Sequence, residues 1–361
     1  MTEKAVELLK RLVATPSLSR QEKEAADLLE DFLRQEGCEP MRFGNNLAVK
    51  CDGYDPSRPT LMLNSHIDTV KPSPAYTFDP FDAHVRDGRL YGLGSNDAGA
   101  SLVSLVMTFL SLKSEPLPFN LLLAVSCEEE VGGEGGMRLL LPSLEAEGIK
   151  PDMAIVGEPT GMQPAVGERG LIVLDCVTRG VTGHAARNEG VNAIYRAIRD
   201  IEAVRNYRFD RESRLLGPIK VSVTQIEAGR QHNVVPDECR WVVDVRTTDA
   251  YTNAETARLL AGAVSEHTEA KPRSTRVQAS AISEEHPLVK AAMAIGGRPF
   301  VSPTTSDMSL MHGIPKLKIG PGESSRSHSA DEYIELAEIA SALTAYRNLL
   351  LKLKTLYSKP L

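Results

Sequence analysis

The chain has 361 residues, of which 42% are hydrophobic, 25% charged and only 5% aromatic, the composition of an ordinary globular protein rather than of a disordered or membrane-embedded one. That length exceeds what one hydrophobic core usually serves, so two domains are expected. The formal net charge of -7, with basic residues scattered along the chain, argues against nucleic acid as a partner, because phosphate recognition needs a concentrated Lys/Arg surface.

The first ten residues carry charges throughout, and no membrane-length apolar run follows, so neither a signal peptide nor a membrane span is expected and a cytoplasmic location is. Val6, Leu9 and Val13, with Leu8 and Leu12 beside them, predict a helix that Pro16 ends. Ser19-x-x-Glu22 reads as a capping box opening a second helix through Ala25, Leu28, Leu29, Phe32 and Leu33. Apolar runs at 46–51, 60–65, 120–126 and 152–157 predict strands, with a buried helix over 98–112. This alternation predicts an α/β domain, a mixed, mostly parallel sheet flanked by helices.

From about Glu168 the texture changes: 171–178, 219–224 and 240–246 alternate apolar and polar residues, with a helix over 192–204. Such strands are half-buried and antiparallel, so a smaller α+β domain is inserted. Helical patterns return over 286–295 and 331–353. The expected division is 1–167 and 275–361 for the main domain and 168–274 for the insert. Cys38, Cys51, Cys127, Cys176 and Cys239 are widely spaced without a Cys-x-x-Cys pair, and read as reduced thiols. Cys127 precedes three glutamates, which raise rather than lower a thiol pKa, so it reads as structural.

Polar, metal-competent residues stand at the ends of the apolar strands, where open α/β sheets place their ligands. The strand at 60–65 delivers His66 and then Asp68. His66 is either a ligand, held from behind by Asp68 or a backbone carbonyl, or a histidine that merely ends a strand. Asp97 precedes the buried helix, as an N-cap, a metal bridge or both. Its neighbouring Gly92-Leu93-Gly94 lacks the third glycine and the Gly-Lys-Ser/Thr of a phosphate loop. Glu128, Glu129 and Glu130 end the third strand, Glu158 the fourth, and His328 emerges from a glycine-rich loop. Like charges packed at strand ends are costly unless cations compensate, the alternative being a solvated acidic loop. Two histidines with several carboxylates suit a pair of zinc ions better than a cysteine-rich structural site. If Asp97, Glu130 and Glu158 ligate, one positive charge is left over for a bridging hydroxide, whose parent water has its pKa brought to roughly 7. Glu129 is then spare for proton transfer.

His66-Ile67-Asp68-Thr69-Val70, the turn ending in Asp97, Glu129-Glu130-Val131-Gly132-Gly133, Val156-Gly157-Glu158-Pro159-Thr160 and Gly320-Pro321-Gly322 leading to His328 occur in this order. In these motifs the chain resembles the zinc-dependent deacylase and exopeptidase family of acetylornithine deacetylase, succinyl-diaminopimelate desuccinylase, glutamate carboxypeptidase and aminoacylase, acetylornithine deacetylase most of all. The resemblance implies two zinc ions per subunit, with cobalt or manganese as substitutes. Asp97 would bridge them, His66 and Glu158 completing one site and Glu130 and His328 the other. Glu129 would be the general base, with Asp68 behind His66.

The resemblance further implies that the insert is a lid that forms a homodimer. Gly180-Val181-Thr182-Gly183-His184-Ala185 resembles the loop that carries a histidine into the partner subunit's site, where His184 would stabilise an oxyanion. Asn233, Gly322 and Arg246 would bind substrate, Arg246 being equally readable as one half of a surface salt bridge. Two departures stand out: Gly99 replaces the family's lysine two residues after the bridging aspartate, and Glu128 stands where the family has Asp. The implied reaction is hydrolysis of an N-acyl amino acid, acetyl- or succinyl-ornithine or citrulline in arginine biosynthesis. A dipeptidase or carboxypeptidase, and a non-catalytic binding scaffold, are the alternatives.

Overall fold

The computed structural model describes residues 1–357 and divides into two compact units. One comprises Met1–Val166, Ile282–Phe300 and the chain from Ser306 onward; the other comprises Gly167–Ala281 and Val301–Thr305. In the first, strands lie side by side in the order Met41–Phe43, Asn46–Lys50, Asn120–Ser126, Thr60–His66, Met153–Val156 and Lys316–Lys318. The last four are mutually parallel and the first two join them as an antiparallel hairpin. Ala165 adds an antiparallel pairing beyond Lys318.

The parallel strands are buried along their whole length, because helices cover both faces. Met62, Leu122 and Ala154 pack with Leu140 and Leu144 of helix Met137–Ala146 and with Met308 and Met311. Leu61, Leu63, Leu121, Leu123 and Ile155 are as deeply buried and by strand alternation turn to the other face. There helix Ala100–Leu112, apolar nearly all round, packs with Thr2–Val13 and Leu336–Tyr357. All four parallel strands run in one direction, so their carboxyl ends, with the chain leaving each, gather at one edge of the sheet.

Three local expectations differ from what forms. The second helix, Lys23–Gln35, has no capping box: Glu22 accepts from Arg20 N at 2.5 Å, while the Ser19 hydroxyl donates to Asp68 Oδ2 at 2.7 Å. A long-range partner outcompetes the local cap. Asp97 caps no helix; it lies in an irregular turn, Ser95–Gly99, with φ -114° and ψ 99°. The helical pattern over 331–353 begins late, because Tyr333–Glu335 is a strand paired with Arg89–Tyr91, and the helix starts at Leu336.

The second unit is an antiparallel sheet ordered Lys220–Ala228, Glu238–Thr247, Gly170–Arg179, Thr268–Pro272. Helices Ala193–Arg205 and Asn253–Ala263 close one face over Ile172, Leu174, Trp241, Val243 and Val245. Burial alternates along its two central strands, as a sheet covered on one face requires. Trp241 is buried whole because its Nε1–H donates to Thr178 Oγ1 at 3.0 Å.

Candidate metal centre

Strand register gathers the acidic and imidazole side chains. His66 ends its strand beside Ser126, and Asn64 lies beside Val156, so His66, the 127–130 turn and Glu158 leave the sheet at one level. The 127–136 turn doubles back on itself. Glu128 sits at φ 53° and directs its carboxylate at Gly133 and Gly135, accepting from Gly135 N at 3.3 Å. A Cβ at Gly133 would collide with that carboxylate, which is why the run is glycine-rich. Glu128 therefore turns away from the cluster while Glu129 and Glu130 face it.

Asp68 organises this end of the sheet. Its Oδ1 accepts from Glu129 N at 3.0 Å, and its Oδ2 from Glu130 N at 3.2 Å and from the Ser19 hydroxyl. The group that orients His66 is the Asp68 carbonyl, 2.9 Å from Nδ1, with the carboxylate at 3.5 Å. In the neutral ring that metal binding requires, a proton on Nδ1 directs the Nε2 lone pair to the cluster. Nε2 is fully buried and, although 3.3 Å from Asp97 Oδ1, has no properly directed hydrogen bond.

Asp97 stands between the two imidazoles. Its Oδ1 faces His66 Nε2, and its Oδ2 is 3.6 Å from His328 Nε2. Glu158 lies 3.7 Å from His66 Nε2, and Glu130 lies 3.0 Å from His328 Nε2. The result is two groups of donors that share one carboxylate. Glu129 is also close, its oxygen, His66 and Glu158 offering atoms within 4.8 Å of one another. An orphaned, buried imidazole nitrogen and facing carboxylates on both sides fit divalent cations of the zinc class.

Charge is the dominant property of this place. Burial, reinforced by Glu158, Asp307 and Glu130 against the pull of His66, holds the Glu129 carboxyl well above its ordinary range. Burial does the same to Glu158, which reaches about 8 with Asp97 and Glu130 adding to it. Burial disfavours a charged His66, but Asp68 and Asp97 outweigh it and hold the imidazole well above its ordinary value. His328, bonded to Glu130, rises to about 9. Without cations, protons on these groups balance the cluster.

Both departures from the family pattern have local causes. A Cβ at Gly99 would run into the Gly94 carbonyl and lie 2.7 Å from Leu9 Cδ1, so no lysine side chain can start there. Glu128 serves the glycine turn. Gly322, at φ 83°, leaves no room for a Cβ against Asn96 Oδ1. In the inserted unit His184 pairs beside Val234, and its Nδ1 accepts from Ala186 N at 3.1 Å, leaving the ring proton on exposed Nε2. The Asn233 carbonyl accepts from Ala185 N at 3.0 Å and so supports that loop. Arg246 is engaged by Asp244 through both nitrogens of its fork, at 2.9 and 3.2 Å, the salt-bridge arrangement. Ser19, Asn96 and Glu332 were not legible as site residues, because their partners lie far away in the chain. Cys127 is buried, donates to Gly135 O at 3.1 Å, and burial pushes its thiol up; all five cysteines are free.

Residues 62–352 match the sequence profile of peptidase family M20/M25/M40. The chain belongs to that family. Membership makes it a hydrolase of the metal-dependent amidohydrolase kind. A curated relative, succinyl-diaminopimelate desuccinylase 2 of Ruegeria sp. (strain TM1040), is 28% identical over 378 residues, covering 96% of this chain and 94% of that protein. Among solved structures, aminopeptidase PepT from Bacillus cereus superposes with a TM-score of 0.77 at 20% identity, covering 98% and 99% of the two chains. The Bacillus subtilis YXEP protein, described as a dinuclear metal binding peptidase of family M20, gives 0.71 at 17% identity, covering 97% of each. At such identities the structures establish the fold. The relative is named for a diaminopimelate derivative, so it lends no support to the arginine pathway. Among the described residues no helix is long and apolar enough to cross a membrane.

The charge cluster sets a pH dependence. Glu158, raised from 4.5 to about 8, binds its proton more tightly folded than unfolded, so its protonation stabilises the fold at low pH and that stability fades as pH rises through this window. His328, raised from 6.5 to about 9, acts in the same direction. In chelator, the midpoint of thermal unfolding should fall from pH 5.5 to pH 8.5. With a divalent cation bound the slope should flatten or reverse, since cations replace those protons. A chelated protein that gains stability over that range would refute the assignment.

Proposed function

We propose that this chain is a two-metal hydrolase of N-acyl amino acids. The observation that carries the proposal is Asp97, with one carboxylate oxygen toward each imidazole and a further carboxylate beside each. His66, Asp97 and Glu158 would hold one divalent cation, and Asp97, Glu130 and His328 the other. Bound there, such cations, zinc above cobalt or manganese for this donor set, would supply Lewis acidity toward a carbonyl and make water more acidic, with a pKa of about 7.

The chain's own residues do the rest. Glu129 takes a proton from the attacking water as its oxygen bonds to the carbonyl carbon, and returns that proton to the amide nitrogen as the C–N bond breaks. The position of Glu129, whose oxygen lies within 4.8 Å of the donor atoms of His66 and Glu158, suits it to both halves of that transfer. Asp68 fixes His66 through its carbonyl and the backbone of Glu129 and Glu130 through its carboxylate. His184, with its proton on Nε2, acts as oxyanion donor in the site of a second copy. Arg246 binds the substrate carboxylate by exchanging Asp244 for it, and Asn233 and Gly322 are each assigned to substrate binding as well.

The homodimer is supported by the inserted unit's exposed edge strand, Lys220–Ala228, and by Tyr195, Ile198 and Ile226, apolar side chains 68, 45 and 56% exposed. The curated relative's name favours a succinyl amide of diaminopimelate over acetyl or succinyl derivatives of ornithine or citrulline. A peptidase reading of the same site is favoured by the solved neighbours, aminopeptidase PepT among them.

Glu129→Gln should lower kcat by about 100- to 10,000-fold, the usual worth of a general base, while two metal ions per chain remain by elemental analysis; turnover within threefold of the parent would remove Glu129 from its role. In a panel of N-succinyl-diaminopimelate, N-acetyl- and N-succinyl-ornithine, citrulline derivatives and di- and tripeptides, the first should have the highest kcat/KM. A tripeptide in first place would establish the peptidase reading. Mixing inactive Glu129→Gln with inactive His184→Ala should restore part of the activity, because a mixed dimer holds one site with both groups intact. No recovery on subunit exchange would refute the reach of His184 into a second copy.

A further inference from the structure

Glu332 is a carboxylate 1% exposed that the proposed reaction does not use. Its Oε1 accepts from Asn96 N at 2.8 Å and Asp97 N at 2.9 Å, and its Oε2 from Gly94 N at 3.1 Å. Its own carbonyl accepts from Gly92 N at 3.0 Å. The turn that presents Asp97 is irregular, so its backbone N–H groups have no helical partners to take them, and one acidic side chain gathers three of them.

The reverse connections are made by Asn96. Its Nδ2 donates to Glu323 O at 3.1 Å and Ser327 Oγ at 3.3 Å, and its Oδ1 accepts from Glu323 N at 3.1 Å. Asp331 adds bonds from Thr77 N and Thr77 Oγ1, both at 2.8 Å. His328 lies inside the segment thus bound, four residues before Glu332, at a φ of 57°. A histidine in that left-handed conformation keeps it only when its surroundings hold it there.

We infer that Glu332 and Asn96 form a two-way clamp that sets the separation of Asp97 and His328, and that Glu332 is a positioning residue for the metal pair. The inference rests on the proposed reading of Asp97 and His328 as ligands of that pair. The two side chains approach only to 3.6 Å and their own contact is too weak to fix the geometry. The clamp joins the two segments by three backbone N–H groups that donate to the one buried side chain of Glu332 and by three more bonds through the Asn96 amide. Glutamine at 332 keeps the shape, but its amide turns an NH2 toward either Gly94 N or the Asn96–Asp97 pair, so donor faces donor at one end of the clamp.

The test titrates Co2+ into the metal-stripped full chain and follows both affinity and the visible spectrum of the bound ion. Glu332→Gln should bind about 10- to 100-fold more weakly, the usual cost of losing a group that orients ligands, with an altered cobalt spectrum. Glu335→Gln, which removes only the ion pair with Arg89 from the strand that follows Glu332, should match the parent in both readouts. Wild-type affinity and spectrum in Glu332→Gln would overturn the inference. Should that variant not fold, Asn96→Ala, which removes the reciprocal bonds and no charge, decides by the same two readouts. A parent chain that binds fewer than two ions would instead sink the metal reading, and the inference with it, so the two failures are distinguishable.

Discussion

Asp97, Glu129, Glu130 and Glu158 repel one another at the end of a buried sheet, and the architecture around them is arranged to hold that repulsion. Four parallel strands present the acidic turns at one level, and Lys318, buried on the last of them, offsets part of the charge at Glu158. Compensation comes from two imidazoles and from protons on the deepest carboxyls. Divalent cations would replace those protons. An arrangement that is expensive without cations and favourable with them is a candidate metal site by its energetics as well as by its donor types.

The supports of this cluster are long-range bonds made by short polar side chains. Ser19 gives up a helix cap in order to donate to Asp68. Asp68 spends its carboxylate on the backbone of the Glu129–Glu130 turn and orients His66 with its carbonyl. Glu332 takes the N–H groups around Asp97. Each of these replaces a local partner by a distant one, and each brings a ligand-bearing turn to a fixed place. The glycines nearby have the complementary task of removing side chains where turns pass closely, at Gly99 against Gly94 and at Gly322 against Asn96.

This division explains which features could be recognised in the chain. His66, Asp97, Glu129, Glu130, Glu158 and His328 follow apolar strands or a glycine-rich loop, and such a pattern marks them without coordinates. The mostly parallel sheet and the antiparallel insert were legible for the same reason, since strand burial shows in periodicity. Ser19 and Glu332 were not legible. Ser19-x-x-Glu22 has the form of a capping box, and Asp331-Glu332 opens the helical pattern over 331–353, so local pattern pointed each to a role that tertiary contacts overrode. Tyr333–Glu335 became a strand because Arg89–Tyr91 offered an open edge, which no local propensity could announce.

By itself, the sequence determined the chemistry on offer: which strands would be buried, that carboxylates and histidines would stand at their ends, and that no cysteine would take part. Tertiary structure decided how those groups face one another. It placed one oxygen of Asp97 toward each imidazole, turned Glu128 out of the cluster and left Glu129 in it, and engaged Arg246 with Asp244. The reason is range. Burial and charge are written residue by residue, whereas the direction of a carboxylate such as Asp97 depends on partners in other segments, which meet it only when the chain has folded.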